Sequence, residues 1–213
     1  MNPSTEPPRL GITGGIATGK STLTALMEKL GWKMIDSDLV THNLYQAGAD
    51  GARILVDTFG PSILNHDQSV NRTLLGQIVF ADSSKRELLN SRIHPLVRAE
   101  WQRQHRELSL SQPGHPVAVI IPLMFEAKTE NWFESIACTA CSPEEQARRL
   151  GTRGYNTTQI NQRLQAQWPM ARKMERSHII IWNDGSRELL QAQAARLDRL
   201  WHPRYTNSRL TAQ

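Results

Sequence analysis

Gly14-Gly15-Ile16-Ala17-Thr18-Gly19-Lys20-Ser21 follows the phosphate-loop pattern, a glycine, four residues and then Gly-Lys-Ser. It lies between the apolar run Leu10-Gly11-Ile12-Thr13 and a helical pattern, the strand and helix context the motif requires. Backbone N–H groups of such a loop, with the helix N-terminus behind it, form a pocket of positive potential for a di- or triphosphate. Lys20 would reach the β- and γ-phosphates and the Ser21 hydroxyl would hold Mg²⁺. Glycine is needed because a β-carbon blocks the close approach of backbone to phosphate and the positive-φ conformations the loop uses. The stretch therefore implies binding of a nucleoside triphosphate.

The whole chain has 213 residues, enough for one compact body with a good core and a small insert. No run of 18 or more apolar residues occurs, and Met1 to Pro8 is polar and proline-rich without a hydrophobic signal region. Neither a membrane span nor export is expected. Two cysteines cannot build a disulfide framework and suit a reducing cytoplasm. The net charge of +5 is local: between Arg148 and Arg176, Arg148, Arg149, Arg153, Arg163, Arg172, Lys173 and Arg176 stand against Glu175 alone. A duplex-binding protein spreads its basic residues and interleaves aromatics, so a local polyphosphate clamp is the better fit, with part of the run forming a solvated helix face.

In chain order, Leu23, Leu26, Met27 and Leu30 give the helix after the loop one buried face, and Gly31 ends it. Trp32 to Ile35 reads as a strand delivering Asp36-Ser37-Asp38 at its carboxyl end, the edge where open α/β sheets bind ligands. From Leu39 to about Leu110 the pattern is helical with breaks, including helices at Arg72 to Phe80 and Lys85 to Ile93 and a new one starting at His94-Pro95. Val117 to Ile121 is a β-branched run suited to a central parallel strand. Ser135 to Ala140 is the next strand, followed by a capping box at Ser142-Pro143-Glu144-Glu145. Arg149 and Arg153 then share a helix face. Asn156 to Ala166 gives another helix, Ile179 to Trp182 the last strand, and Leu190, Ala194, Leu197 and Trp201 the buried face of the final helix. Strand alternating with helix means an α/β fold, a parallel sheet with helices on both faces.

The set GITGGIATGKST, IDSD, NRTLLGQIVF, IHPLV, IPLMFE, QARRLGTR and WNDGS, in this order from about Leu10 to Leu200, resembles the dephospho-coenzyme A kinases. The resemblance implies a P-loop kinase fold in a single domain over 1–213, with a parallel sheet of about five strands, a helical acceptor-binding subdomain over about 39–110 and a basic lid over about 143–176. It implies transfer of the γ-phosphoryl of ATP, with Mg²⁺, to the ribose 3′-hydroxyl of dephospho-coenzyme A. It matches Gly14, Gly15, Ile16, Ala17, Thr18, Gly19, Lys20, Ser21 and Thr22 to the ATP loop and Asp38 to the catalytic aspartate. Arg149 matches a lid arginine, Arg153 another, and Asn183 with Gly185 the adenine-side turn. Arg72, His94 and Glu126 are further candidates. A small-molecule acceptor, no nucleic acid, no membrane, a cytoplasmic setting and a monomer or weak homo-oligomer are expected. Two positions depart from the family pattern: Ala17-Thr18 stand where Gly-Ser is common, and Ser177-His178 replace Ala-Asp.

Phosphoryl transfer asks mainly for positioning and charge neutralisation, which Lys20, Ser21 with Mg²⁺ and Arg149 would supply. The acceptor is a weakly acidic alcohol, so Asp38 suits the base. If strand geometry persists, Asp36 projects from the same side and orients waters on Mg²⁺; the alternative is a solvated Asx turn. Cys138 and Cys141 form a CxxC before a helix, to be read as a redox pair or as two small buried residues. His94 either touches a substrate phosphate or is held by packing. A GTPase would need Asn-Lys-x-Asp, and Asn183-Asp184 lacks the lysine; a motor would need an acidic strand end where Pro122 stands.

Overall fold

The computed structural model describes residues 7–207; residues 1–6 of the proline-rich N-terminal stretch lie outside them. The chain divides into two compact units, one made of the residues up to Ile35 and from His105 onward, the other of Asp36–Gln104. The two units carry separate apolar cores.

The first unit holds a sheet built on β1 (Leu10–Gly14). It is flanked by β3 (Val117–Ile120) and β4 (Ser135–Ala140), and the order is β2-β3-β1-β4-β5, with β2 at Lys33–Asp36 and β5 at Ile179–Trp182. Every resolved register is parallel: Leu10 faces Ala118 on one side and Ser135 on the other, and Ala137 faces Ile179. All five residues of β1 and all four of β3 are buried, as befits parallel strands covered on both faces. Strand order reverses at β1, so the loop leaving it opens at the topological switch point, where such sheets take their ligands.

Helix α1 (Lys20–Lys29) follows that loop and packs Leu23 and Met27 against Leu190, Ala194, Leu197 and Trp201 of the C-terminal helix α9 (Arg187–Asn207). Trp32 completes this cluster and donates its indole N–H to Asp198 at 2.7 Å. Leu30, expected on the same face, is 38 % exposed, because Gly31 turns the chain away at φ +91°. The buried Tyr205 hydroxyl lies within hydrogen-bond distance of the carbonyls of both Val117 and Pro8, its one proton shared between them, tying the end of α9 to the start of the sheet.

The second unit is helical: α2 (Ser37–Leu44), α3 (Asp50–Phe59), α4 (Arg72–Ala81) and most of α5 (Ser83–Ser111), around Tyr45, Leu55, Ile63, Leu75 and Ile93. One expectation fails here. No helix starts at His94-Pro95; α5 runs through Pro95 for 29 residues. Proline removes only the bond to the carbonyl of the residue four earlier, Ser91, and the flanking turns carry the helix across it. Among the described residues no helix is long and apolar enough to cross a membrane.

Between β4 and β5 run α6 (Pro143–Thr152), α7 (Thr157–Gln165) and α8 (Met170–Glu175); α8 was not foreseen. At α6 only half of the expected capping box forms. Ser142 accepts from Glu145 N–H, but the Ser142 N–H goes to Asp184 and the Glu145 carboxylate turns to Arg148 and Arg149. The complete box caps α7, between Asn156 and Gln159. Lys173 of α8 is fully buried, paired with Glu126 at 2.8 Å and donating to the Pro122 carbonyl at 3.0 Å, so it secures the segment after β3 and is no part of a phosphate clamp.

Two buried ionisable side chains, Lys173 and His105, carry predictions. Lys173→Ala leaves Glu126 without its counter-charge and should destabilise the protein by about 3–5 kcal/mol in denaturant titrations. His105 of α5 is 1 % exposed, its ring edge-on to Trp132 at 5.0 Å. Burial, opposed by a bond to the Pro8 carbonyl, pushes its pKa down from about 6.5 to about 4. The unfolded chain then binds the extra proton first, so stability is full above pH ~6.5 and falls as pH drops towards ~4, by about 3 kcal/mol at most. His105→Phe should flatten the stability curve over that interval, read as unfolding midpoints from pH 7 to 4.

Candidate active site

The loop leaving β1 takes three residues into positive φ: Gly14 (+147°), Ala17 (+60°) and Gly19 (+98°). A β-carbon on Gly14 would meet the Thr139 carbonyl at 2.4 Å, and one on Gly19 would meet Asn183 Nδ2 at 2.0 Å. Ala17 is the non-glycine among them, and the left-handed conformation costs an alanine roughly 1–2 kcal/mol. What holds it there is a set of bonds to consecutive carbonyls. Gln146 Nε2 donates to Ile16 O (2.6 Å), Arg149 Nη1 to Ala17 O (3.2 Å) and Asn183 Nδ2 to Thr18 O (2.9 Å). In a trans peptide N–H and C=O point oppositely. Fixing these three carbonyls therefore turns the N–H groups of Ala17, Thr18 and Gly19 away from the clamping side chains, as successive donors in an anion-binding concavity. The N-terminus of α1 adds its positive potential.

The departure at Thr18 is harmless. Its hydroxyl bonds to Gly15 O (2.9 Å) and to the Thr139 hydroxyl (2.8 Å), as a serine hydroxyl would, and its methyl group is fully buried. Lys20 lies back over the loop, donating to Gly14 O (2.8 Å) and Gly15 O (2.7 Å). Ser21 and Thr22 are exposed in the first turn of α1. Asn183, expected beside adenine, is 8 % exposed with its carboxamide engaged on the loop. Gly185 is exposed in the same turn, where a β-carbon would meet Leu189 at 2.7 Å.

Of the two arginines expected on one face, only Arg149 reaches the loop. It also donates to Glu145 (2.7 Å) and to the Asn183 carbonyl (2.5 Å). Arg148, then Arg149, hold the Glu145 carboxyl down at about 2. Arg153 is the residue after α6, exposed and without a hydrogen bond to the loop. The rest of the basic stretch has partners of its own: Arg163 over Tyr155 (4.2 Å), Arg172 over Trp168 (3.5 Å) and Arg176 with Glu130 (3.0 Å). The broad clamp expected from composition narrows to Arg149.

Glu126, a candidate acceptor residue, instead pairs with Lys173 and accepts from Trp168 N–H (2.8 Å). His178, in place of the family's aspartate, accepts from Ile136 N–H at Nδ1 (3.1 Å) while its own N–H bonds to Ile136 O; the imidazole extends the β4–β5 ladder. Cys138 and Cys141 are free and buried, and burial pushes both thiols up, the opposite of an activated redox pair.

In the helical unit, strand geometry does not persist through Asp36-Ser37-Asp38. Asp36 caps α2, its Oδ1 accepting from Asp38 N–H at 2.8 Å, and Asp38 stands in the first helical turn. Both are exposed. Arg72 is the exposed first residue of α4, its charge acting on the nearby Tyr45 phenol. His94 is exposed within α5. Two residues of the site were missed: Gln146, whose place three residues before Arg149 on α6 was a signal, and Gln167, for which the sequence offers none. Gln167 Oε1 accepts from Ile16 N–H at 2.9 Å.

Comparisons with known proteins bear on the family and the fold. The family model for dephospho-CoA kinase matches residues 9–188. A dephospho-CoA kinase from Geobacillus kaustophilus is 36 % identical over 90 % of this chain and 96 % of its own length. One from Enterococcus faecalis is 39 % identical over 86 % and 92 %. Among solved structures, a Thermus thermophilus protein superimposes with a TM-score of 0.71 at 28 % identity, covering 92 % of this chain and 98 % of its own. Dephospho-CoA kinase from Campylobacter jejuni gives 0.69 at 25 %, covering 90 % and 95 %. With the family model covering most of its length and these relatives aligned nearly end to end, the chain belongs to the dephospho-CoA kinase family.

Proposed function

We propose that the chain transfers the γ-phosphoryl group of ATP to the ribose 3′-hydroxyl of dephospho-coenzyme A, giving coenzyme A and ADP. The observation that carries the nucleotide half is the run of three clamped carbonyls at Ile16, Ala17 and Thr18, which turns the next three N–H groups together as donors for an anion. Preorganised donors of this kind need no reorganisation when charge develops. The glycines at 14 and 19, where a β-carbon would meet Thr139 and Asn183, let the loop keep that shape. The acceptor follows from the family.

In the reaction the acceptor oxygen forms a bond to the γ-phosphorus as the bond to the β,γ-bridging oxygen breaks, and ADP leaves with that electron pair. Asp38 takes the hydroxyl proton. Lys20 exchanges the carbonyls of Gly14 and Gly15 for phosphate oxygens, and Arg149 adds positive charge beside the loop. Bound Mg²⁺ would neutralise charge on the β- and γ-phosphates, with Ser21 as its ligand. Asp36, one oxygen already engaged by Asp38 N–H, would orient waters on the metal. The helical unit, Asp36–Gln104, is the acceptor-binding part, and residues 143–176 form a lid with Arg149 at its base. Two free, buried thiols suit a cytoplasmic setting.

Mass spectrometry of products from Mg-ATP and a panel of dephospho-coenzyme A, nucleosides and shikimate tests the acceptor; phosphorylation of any other member in preference to the first refutes it. Lys20→Ala should lower kcat by about 10²–10³-fold or more while moving the unfolding midpoint by only a few degrees. Asp38→Asn should lose roughly a hundredfold in kcat, the lower half of the general-base range because the transition state is loose, with nucleotide Kd little changed. Retention of kcat within about tenfold removes the base role, and weakened Mg-ATP binding would place Asp38 at the metal instead.

A further inference from the structure

The turn that grips the phosphate loop leaves the sheet at its edge. β5 has β4 on one side only. Trp182, its last residue, is followed by Asn183, whose carboxamide holds the Thr18 carbonyl and whose own carbonyl receives Arg149. An edge strand lacks the second ladder that fixes a residue from both sides, and here α9 supplies it. Gln193 of α9 pairs both polar groups of Trp182 with one carboxamide: Oε1 accepts from the Trp182 N–H at 3.1 Å, and Nε2 donates to the Trp182 carbonyl at 2.8 Å. Within a strand the N–H and C=O of one residue point to the same side, and a primary amide, with an acceptor beside its donors, matches that pair as a neighbouring strand would. The peptide linking Trp182 to Asn183 is thereby held at both ends. Its carbonyl goes outward to Gln193, and its N–H, on the opposite side of the plane, goes inward to the Ala140 carbonyl at 2.8 Å.

We infer that Gln193 is a positioning residue for the phosphate loop, acting through Asn183. The inference rests on the nucleotide reading above. The Asn183 side chain sets out towards Thr18 from the peptide plane that Gln193 and Ala140 share. A rotation of that plane carries the carboxamide off the Thr18 carbonyl, and with it goes the grip that aims the Gly19 N–H. The same rotation moves the Asn183 carbonyl away from Arg149. The helix that bears Gln193 is fixed in turn, because Leu190, Ala194 and Leu197 are buried in one cluster with Leu23 and Met27 of α1. Both bonds of Gln193 to Trp182 are exposed to solvent. Water takes them over when the carboxamide is removed, so what is lost is orientation and not stability.

The test is the Kd of Mg-ATP, without acceptor, by titration calorimetry, with the unfolding midpoint measured alongside. Gln193→Met keeps the length of the side chain and removes both bonds. It should weaken binding by about three- to tenfold, the net worth of one or two neutral hydrogen bonds, with the midpoint close to that of wild type. Gln193→Glu still accepts from the Trp182 N–H but sets a carboxylate oxygen against the Trp182 carbonyl, and should weaken binding at least as far. The discriminating arm repeats Gln193→Met in an Asn183→Ala background, where it should add less than about twofold, because residues acting in series do not add. A merely structural glutamine would lower the midpoint and cost the same with or without Asn183. Wild-type affinity in Gln193→Met, or an equal loss in both backgrounds, overturns the inference alone. A wild-type chain that takes up no Mg-ATP overturns the nucleotide reading and this inference with it.

Discussion

The conformation of the loop at 14–19 depends on three hydrogen bonds to three consecutive carbonyls, donated by Gln146, Arg149 and Asn183. Each donor is fixed by an element that would otherwise read as ordinary scaffold. Gln146 and Arg149 share a face of α6, three residues apart, and Arg149 is steered by Glu145 one turn earlier. Asn183 is placed by its own N–H on the Ala140 carbonyl at the end of β4. The capping exchange at α6 belongs to the same design. Because Asp184 takes the Ser142 N–H, Glu145 is released from the cap to orient Arg149.

The basic stretch shows why charge counts alone do not locate a phosphate site. Its members look equivalent in sequence, yet one is a buried ion pair, others lie over aromatic rings, one meets Glu130, and a single guanidinium touches the loop. Arginine stacked on an aromatic face keeps its charge but has its plane committed.

Most strands were legible because β-branched runs such as Val117 to Ile121 have few other uses, and the phosphate loop because its glycines and lysine sit at mechanistically fixed spacing. The parallel sheet followed from strand alternating with helix and the buried face of α9 from helical spacing, while the run Val117 to Ile121 lies inside the sheet beside β1, which holds the centre. What escaped was short or distant. Six residues at α8 are too few to show a helical period. The continuity of α5 through Pro95 depends on packing that local propensity does not contain. Gln167 reaches Ile16 across 151 positions of sequence, and no local pattern marks a polar residue for such a partner. The roles of Asp36 and Asp38 were proposed from a motif; the structure adds that the first carboxylate shapes the helical turn bearing the second.

Ala17 holds a left-handed backbone that glycine would adopt without strain. Its persistence means that the loop's shape is encoded less in its own residues than in donors well over a hundred positions downstream. The strand, loop and helix from Leu10 to Lys29 are consequently not a portable cassette. Transplanted into another sheet without the α6 face and the turn after β5, the segment would keep its glycines and its lysine but lose the outside grip that orients its peptides, and with it the readiness to receive an anion.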